Sequence, residues 1–308
     1  MQIQANGLHI EVDDQGPPSS PGGPPVLMLM GLGMQLTSWP QPLVDRLVAR
    51  GRRVVRIDNR DAGLSQGFDT QGVPNLLWAT ARYLMHLPVQ APYTVADMAA
   101  DAVGVLDALR IGQADVVGAS MGGMIAQHLA ATHPQRVARL TLLMTTSGAR
   151  HLPQASARVR MGLLDGRRIP THDEDALVDR LERVFTLIGS PAYPPQPGPE
   201  RDALRQRLRD SVRRAYRPAG VARQLVAIVA DGDRTPLLRR IGAPTHIVHG
   251  GADPLVPVAS AHDLHASIAG STLEVIDGMG HDLPPALWGR LADAMVPPVA
   301  RPATPPPA

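Results

Sequence analysis

Ser120 stands in Gly118-Ala119-Ser120-Met121-Gly122. The residues before it, Ala114-Asp115-Val116-Val117, read as a short buried strand. Those after it, Met121 to Thr132, read as a helix with Met124, Ile125, His128 and Leu129 on one stripe. A serine between a strand and a helix is held in a tight turn. Gly118 and Gly122 leave room there, because a Cβ at either place would collide with neighbouring backbone. The hydroxyl then projects at a helix N-terminus, where unpaired N–H groups favour developing negative charge. This spacing predicts a nucleophile elbow, the alternative being a glycine-rich turn with a bystander serine.

A serine hydroxyl needs a neutral imidazole to take its proton and a carboxylate to orient that imidazole. Of the 11 histidines, His281 has the strongest placement, following the last expected strand through Asp277-Gly278-Met279-Gly280. His128 lies on the elbow helix, His249 ends a strand and His133 precedes Pro134 as a helix cap. Asp253, in Gly250-Gly251-Ala252-Asp253-Pro254, also follows a strand and is the candidate orienting acid. Asp277 and Asp282 are its rivals, nearer His281 in the chain. Developing negative charge on a reacting carbonyl needs about two N–H donors. The Met121 amide is one candidate. Leu32, in Met30-Gly31-Leu32-Gly33-Met34, is the other. Gly31-Leu32-Gly33 lacks the third glycine of a dinucleotide fingerprint, and the chain has no lysine for a phosphate loop.

The elements that position these residues alternate. Gln2-Ile3-Gln4 and Leu8 to Val12 flank Asn6-Gly7 as a hairpin. Strands are expected at Val26 to Met30, Arg53 to Asp58, Ala114 to Val117, Ala138 to Met144, Thr245 to His249 and Thr272 to Ile276. Helices are expected at Leu43 to Ala49, Thr94 to Leu109, Met121 to Thr132, Val258 to Ile268 and Leu287 to Ala294. The fold class is therefore α/β, a mostly parallel central sheet of about eight strands flanked by helices, with ligands binding beyond the carboxyl ends of the strands. Residues 148–235 break the alternation. Arginine-rich helices at Arg158 to Asp165, Asp173 to Ile188, Glu200 to Tyr216 and Val221 to Val229 read as an inserted lid between core segments 1–147 and 236–296. Residues 297–308 form a Pro/Ala tail expected to be disordered.

The chain has 308 residues, 44% hydrophobic but only 3% aromatic, so the core must rest on aliphatic side chains and methionine. A net charge of +2 with mixed signs argues against nucleic-acid binding. No cysteine is present, which excludes disulfides and thiolate catalysis. No signal peptide or membrane-spanning run is visible, so a cytoplasmic protein without membrane insertion, a monomer or homodimer, is expected.

These motifs, together with Ser38-Trp39-Pro40, Asp58-Asn59-Arg60-Asp61-Ala62-Gly63-Leu64-Ser65 and Gly123, resemble the α/β-hydrolase superfamily over nearly the whole chain. Within it the chain resembles bacterial esterases similar to aclacinomycin methylesterase. The resemblance implies Ser120 as nucleophile, His281 as base, Asp253 as orienting acid and a cap over 148–235. It implies a cofactor-free serine hydrolase acting on a small-molecule ester, with no metal. The same three residues could serve a lactonase, a carbon–carbon bond hydrolase or a perhydrolase, and a capped pocket could instead only bind a ligand. Many members begin the loop after the first buried strand with His-Gly, where this chain has Met30-Gly31. Gly31, Gly33, Met34, Met124 and Met279 are pocket candidates. The methionines near the site motifs are either adaptable pocket lining or ordinary core fillers.

Overall fold

Asn6 and Gly7 both adopt positive φ, 50° and 74°. That backbone makes a two-residue hairpin turn, joining β1 (Gln2–Ala5) to β2 (Leu8–Gln15). Alternation along β2 sends Ile10 and Val12 into the core. The computed structural model describes residues 1–163 and 173–297. The end of the helix expected over 158–165, and all but the first residue of the 297–308 tail, lie outside the described residues.

Every residue of β3 (Val26–Leu29) is buried, as in a strand covered on both faces. Next come α1 (Gln41–Ala49), β4 (Val54–Ile57) and α2 (Leu76–Leu84). The sequence reading assigns no helix to α2. Its Leu77 and Trp78 are exposed, so apolar residues sit on both of its faces and blur the period. Thr94 caps α3 (Val95–Ala108) in a complete capping box with Asp97. β5 (Ala114–Ala119) runs into Ser120, and α4 (Met121–Thr132) leaves it. Asp115, a charge inside β5, pairs with the buried Arg52.

After β6 (Val137–Leu143) the chain is helical: α5 (Ala157–Leu163), α6 (Glu174–Ile188), α7 (Pro199–Arg214), α8 (Pro218–Asp231) and a single turn, α9 (Thr235–Leu238). The arginines of α7 are not simply solvated. Arg201 and Arg205 pair with Glu182 of α6, and Arg209 and Arg213 pair with Glu174. The two helices therefore lie antiparallel. Alternation resumes with β7 (Thr245–Gly250), α10 (Ala259–Ser267), β8 (Thr272–Ile276) and α11 (Trp288–Met295).

The eight-stranded sheet has the order β1-β2-β4-β3-β5-β6-β7-β8. From β4 to β8 neighbouring strands are parallel, and only the β1–β2 and β2–β4 pairings are antiparallel. Helices α1 and α11 cover one face through Leu43, Leu47, Leu291 and Met295. Helices α3, α4 and α10 cover the other through Met98, Leu106, Ile125, Leu129 and Leu264. The carboxyl ends of β5, β7 and β8 share one rim of the sheet, and the order leaves β8 three strands away from β5. With about 4.8 Å between strands, a residue after β8 must reach back across roughly 14 Å to meet one after β5.

Candidate active site

Ser120 adopts φ 54° and ψ −120°, a region that L-residues other than glycine rarely occupy. Close packing imposes it. A Cβ at Gly118 would lie 2.3 Å from the Gly122 carbonyl oxygen, and one at Gly122 only 2.0 Å from that of Leu29. The turn is also tied down. The Ser120 N–H donates to the Leu143 carbonyl at 3.0 Å. The Ser120 carbonyl accepts from Thr145 Oγ1 at 2.7 Å and from the Gly123 N–H at 2.9 Å.

Asp253 follows β7 and His281 follows β8. The loop carrying His281 crosses back over the end of β7, where a Cβ at Gly250 would lie 2.2 Å from the Met279 carbonyl oxygen. Only glycine admits that crossing. The Met279 carbonyl accepts the Ala252 N–H at 3.0 Å, which holds the crossing strand to the Asp253 loop. His281 Nδ1 then meets Asp253 Oδ2 at 2.7 Å. The second oxygen, Oδ1, accepts the N–H groups of Leu255 and Val256 at 2.9 and 2.8 Å. A carboxylate oxygen accepts, so Nδ1 is the donor in this contact. No hydrogen bond joins Ser120 Oγ to His281 among the described residues. Such contacts commonly tighten only when substrate binds.

The sequence rivals fall elsewhere. Asp282 turns to Ser190 of the helical segment, and Asp277 is exposed. His128 Nε2 pairs with Asp231 at 2.8 Å, and His133 ends α4. His249 is fully buried beside the site, its Nε2 donating to the Val256 carbonyl at 2.8 Å and lying 3.6 Å from Asp253 Oδ2. Burial pushes its imidazole well toward the neutral form.

The Met30–Met34 loop passes directly against the serine. A Cβ at Gly31 would lie 3.1 Å from Ser120 Cβ and 3.6 Å from its Oγ. The Gly33 N–H is already taken by Gln224 Oε1 at 2.7 Å. The Leu32 and Met121 N–H groups have no partner among the described residues. The Met30 carbonyl accepts from Asn59 Nδ2 at 2.9 Å. That bond anchors the loop where a histidine side chain is absent.

A family model described as alpha/beta hydrolase fold matches residues 24–284. The chain belongs to the α/β hydrolase fold family. It is 28% identical over 300 residues to a rhodomycin D methylesterase from Streptomyces peucetius, covering 89% of this chain and 90% of that one. It is also 28% identical to a 2-hydroxymuconate semialdehyde hydrolase from a Pseudomonas species, covering 91% and 86%. An enol-lactonase from Burkholderia xenovorans superposes with a TM-score of 0.66 at 22% identity, covering 96% of each chain. This α/β hydrolase is thus a hydrolytic enzyme with esterases among its relatives.

Several residues near the site are joined to the helical segment by contacts between distant parts of the chain. Asp58 accepts the Leu36 and Leu64 N–H groups at 2.6 and 2.9 Å and the Arg214 guanidinium of α7 at 2.7 Å. Burial nevertheless pushes its carboxyl up. Gln35 donates to the Ser211 carbonyl of α7 and to the Ala215 carbonyl that follows it, at 2.7 and 2.8 Å. Arg223 of α8 grips both oxygens of Asp61, at 2.8 and 2.7 Å. Burial works against the Asp61 charge, but Arg223, the Phe68 N–H and Tyr93 outweigh it and hold the carboxyl below its ordinary value. Asp58 and Asp61 therefore seat the helical segment. The Asp58 to Ser65 run is visible in sequence, but its partners in the helical segment, Arg214 and Arg223, lie more than a hundred residues away.

Of the pocket candidates, Met279 has no exposed surface and Met124 has 7%, both packed within the core clusters. They fill the core. Met34 is half-buried against the core beneath α1 and α11, and Gly31 faces Ser120. Gly33 faces Val221 of α8, whose Cγ2 would lie 2.6 Å from an added Cβ. No helix among the described residues is long and apolar enough to cross a membrane.

Proposed function

We propose that this chain is a cofactor-independent serine hydrolase that cleaves carboxylic esters through an acyl-enzyme. Ser120 is the nucleophile, His281 the general base and Asp253 the residue that orients it. Ser120 Oγ attacks the ester carbonyl while its proton passes to His281 Nε2. The Leu32 and Met121 N–H groups stabilise the tetrahedral oxyanion. The imidazolium returns its proton to the departing alcohol, leaving the acyl group on Ser120. His281 then takes a proton from water, the hydroxide displaces the acid, and Ser120 is reprotonated. One observation carries the proposal: the buried Asp253–His281 contact at 2.7 Å on the rim that also presents Ser120 at positive φ.

The helices within 148–235 act in this reading as a cap that closes the pocket against water. The relative named as a methylesterase favours a small alcohol as leaving group, and the substrate is a small-molecule ester. The Pseudomonas relative supports a second reading, in which the same three residues hydrolyse a carbon–carbon bond. Hydrolysis of p-nitrophenyl esters from acetate to long acyl chains tests the proposal. Wild-type turnover that disappears in Ser120→Ala supports it. Turnover on a semialdehyde ring-fission product but on no ester would favour the second reading.

A further inference from the structure

The loop that carries His281 is bonded to the helical segment as well as to the sheet. Ile188, the last residue of α6, accepts the His281 N–H at 2.7 Å. Four residues on, the Ala192 N–H donates to the Gly278 carbonyl at 3.1 Å. Residues 188–192 thus run alongside residues 278–282. Their contact is close enough that a Cβ at Gly280 would lie 2.3 Å from the Gly189 carbonyl oxygen.

Ser190 sits in the middle of this contact and is 3% exposed. Its hydroxyl accepts the Gly280 N–H at 2.9 Å and donates to Asp282 Oδ1. A hydroxyl has one proton, so these bonds have a fixed direction: Gly280 N–H to Ser190 Oγ–H to Asp282. The two residues flanking His281, Gly280 through its N–H and Asp282 through its carboxylate, are therefore held by one side chain from the helical segment. Burial pushes the Asp282 carboxyl up, an effect the Ser190 bonds only partly offset.

We infer that Ser190 and Asp282 are positioning residues for the base histidine, clasping its loop to the segment that follows α6. Asp253 fixes the rotation of the imidazole, and the clasp fixes the backbone from which it hangs. The base is then presented to Ser120 only while residues 188–192 are seated, so seating of the cap and readiness of the base are one event. This rests on the reading of His281 as general base.

The test compares steady-state kinetics of Ser190→Ala, Asp282→Ala and Asp282→Asn with wild type on p-nitrophenyl butyrate, with a melting curve for each. Ser190→Ala and Asp282→Ala are expected to lower kcat by about tenfold to a hundredfold, the cost of displacing a catalytic group by roughly 1 Å. Their KM should stay near the wild-type value. Asp282→Asn keeps an oxygen to accept the Ser190 hydroxyl and should recover most of kcat. Wild-type kcat in both alanine variants, or a loss confined to KM, would overturn the inference. So would an Asp282→Asn no better than Asp282→Ala. Should Ser190→Ala fail to fold, the two Asp282 variants decide alone. Ser120→Ala and His281→Ala serve as controls. Activity surviving in those would remove the triad reading itself, a different result from normal activity in the clasp variants.

Discussion

His281 Nδ1 lies 2.7 Å from Asp253 Oδ2, while Asp253 Oδ1 is occupied by two backbone N–H groups. The carboxylate is therefore held at both ends and cannot swing away from the imidazole. In Asp253→Asn the amide oxygen would keep the two backbone donors, turning the NH2 group toward Nδ1. The imidazole would then carry its proton on Nε2 and could not accept one from Ser120. We expect kcat to fall by about 10⁴-fold with the melting temperature little changed, the loss known for such tautomer traps. An activity within tenfold of wild type would show that Asp253 does not orient the base.

Ser120 has a backbone conformation suited to glycine. Ser120→Gly should abolish ester turnover and raise stability by about 1 kcal/mol, through relief of the strained φ and ψ. Urea unfolding of the two proteins measures it. A less stable glycine variant would mean that the turn stores no strain.

Gln224 bridges the loop at Gly33 to the Arg60 carbonyl, with bonds of 2.7 Å at each end. Gln224→Leu leaves the Gly33 N–H unpaired and the loop free to shift. A drop in kcat of about tenfold or more is expected, because the Leu32 donor moves with the loop. Single-turnover acylation is the readout, and an unchanged acylation rate would separate Gln224 from the oxyanion site.

The Arg223–Asp61 pair is almost completely buried, 1% and 0% exposed. Removing one partner strands the other charge. Arg223→Ala should cost about 3–5 kcal/mol, read from denaturant midpoints. A loss below 1 kcal/mol would show that water reaches Asp61 once the guanidinium is gone.

His249 makes stability depend on pH. Its folded pKa lies below the ordinary value because burial disfavours the imidazolium. The unfolded chain therefore binds a proton first as pH falls. The stability His249 contributes is complete above about pH 6.5 and declines as the pH drops toward the folded value. His249→Gln can still donate to the Val256 carbonyl but does not titrate. Unfolding free energies between pH 7.5 and 5 should fall less steeply in the variant, and equal slopes would rule His249 out as the source.

Short-range rules were enough for much of this chain. The apolar runs of β3 and β5 follow from burial on both faces, the Asn6-Gly7 hairpin from its turn, and the start of α3 from Thr94 and Asp97. Each depends on residues within a few positions of one another. The same holds for the serine turn, where strand, glycine, serine, glycine and helix are contiguous. Helix α2 escaped because its outward face is as apolar as its inward one.

Sequence alone thus determined the elements, their alternation, the α/β class and a short list of candidate groups. It named Asp253 ahead of Asp277 and Asp282 but could not show the 2.7 Å contact with His281, which depends on how a loop after β8 crosses the end of β7 at Gly250. Nor could it show that Gln224, Arg214, Arg223 and Ser190 brace the site from the helical segment. Those partners are joined by hydrogen bonds across 92 to 191 positions of chain. Contacts at such separations leave no periodic trace, because only the closed sheet and the seated helices bring the two ends together.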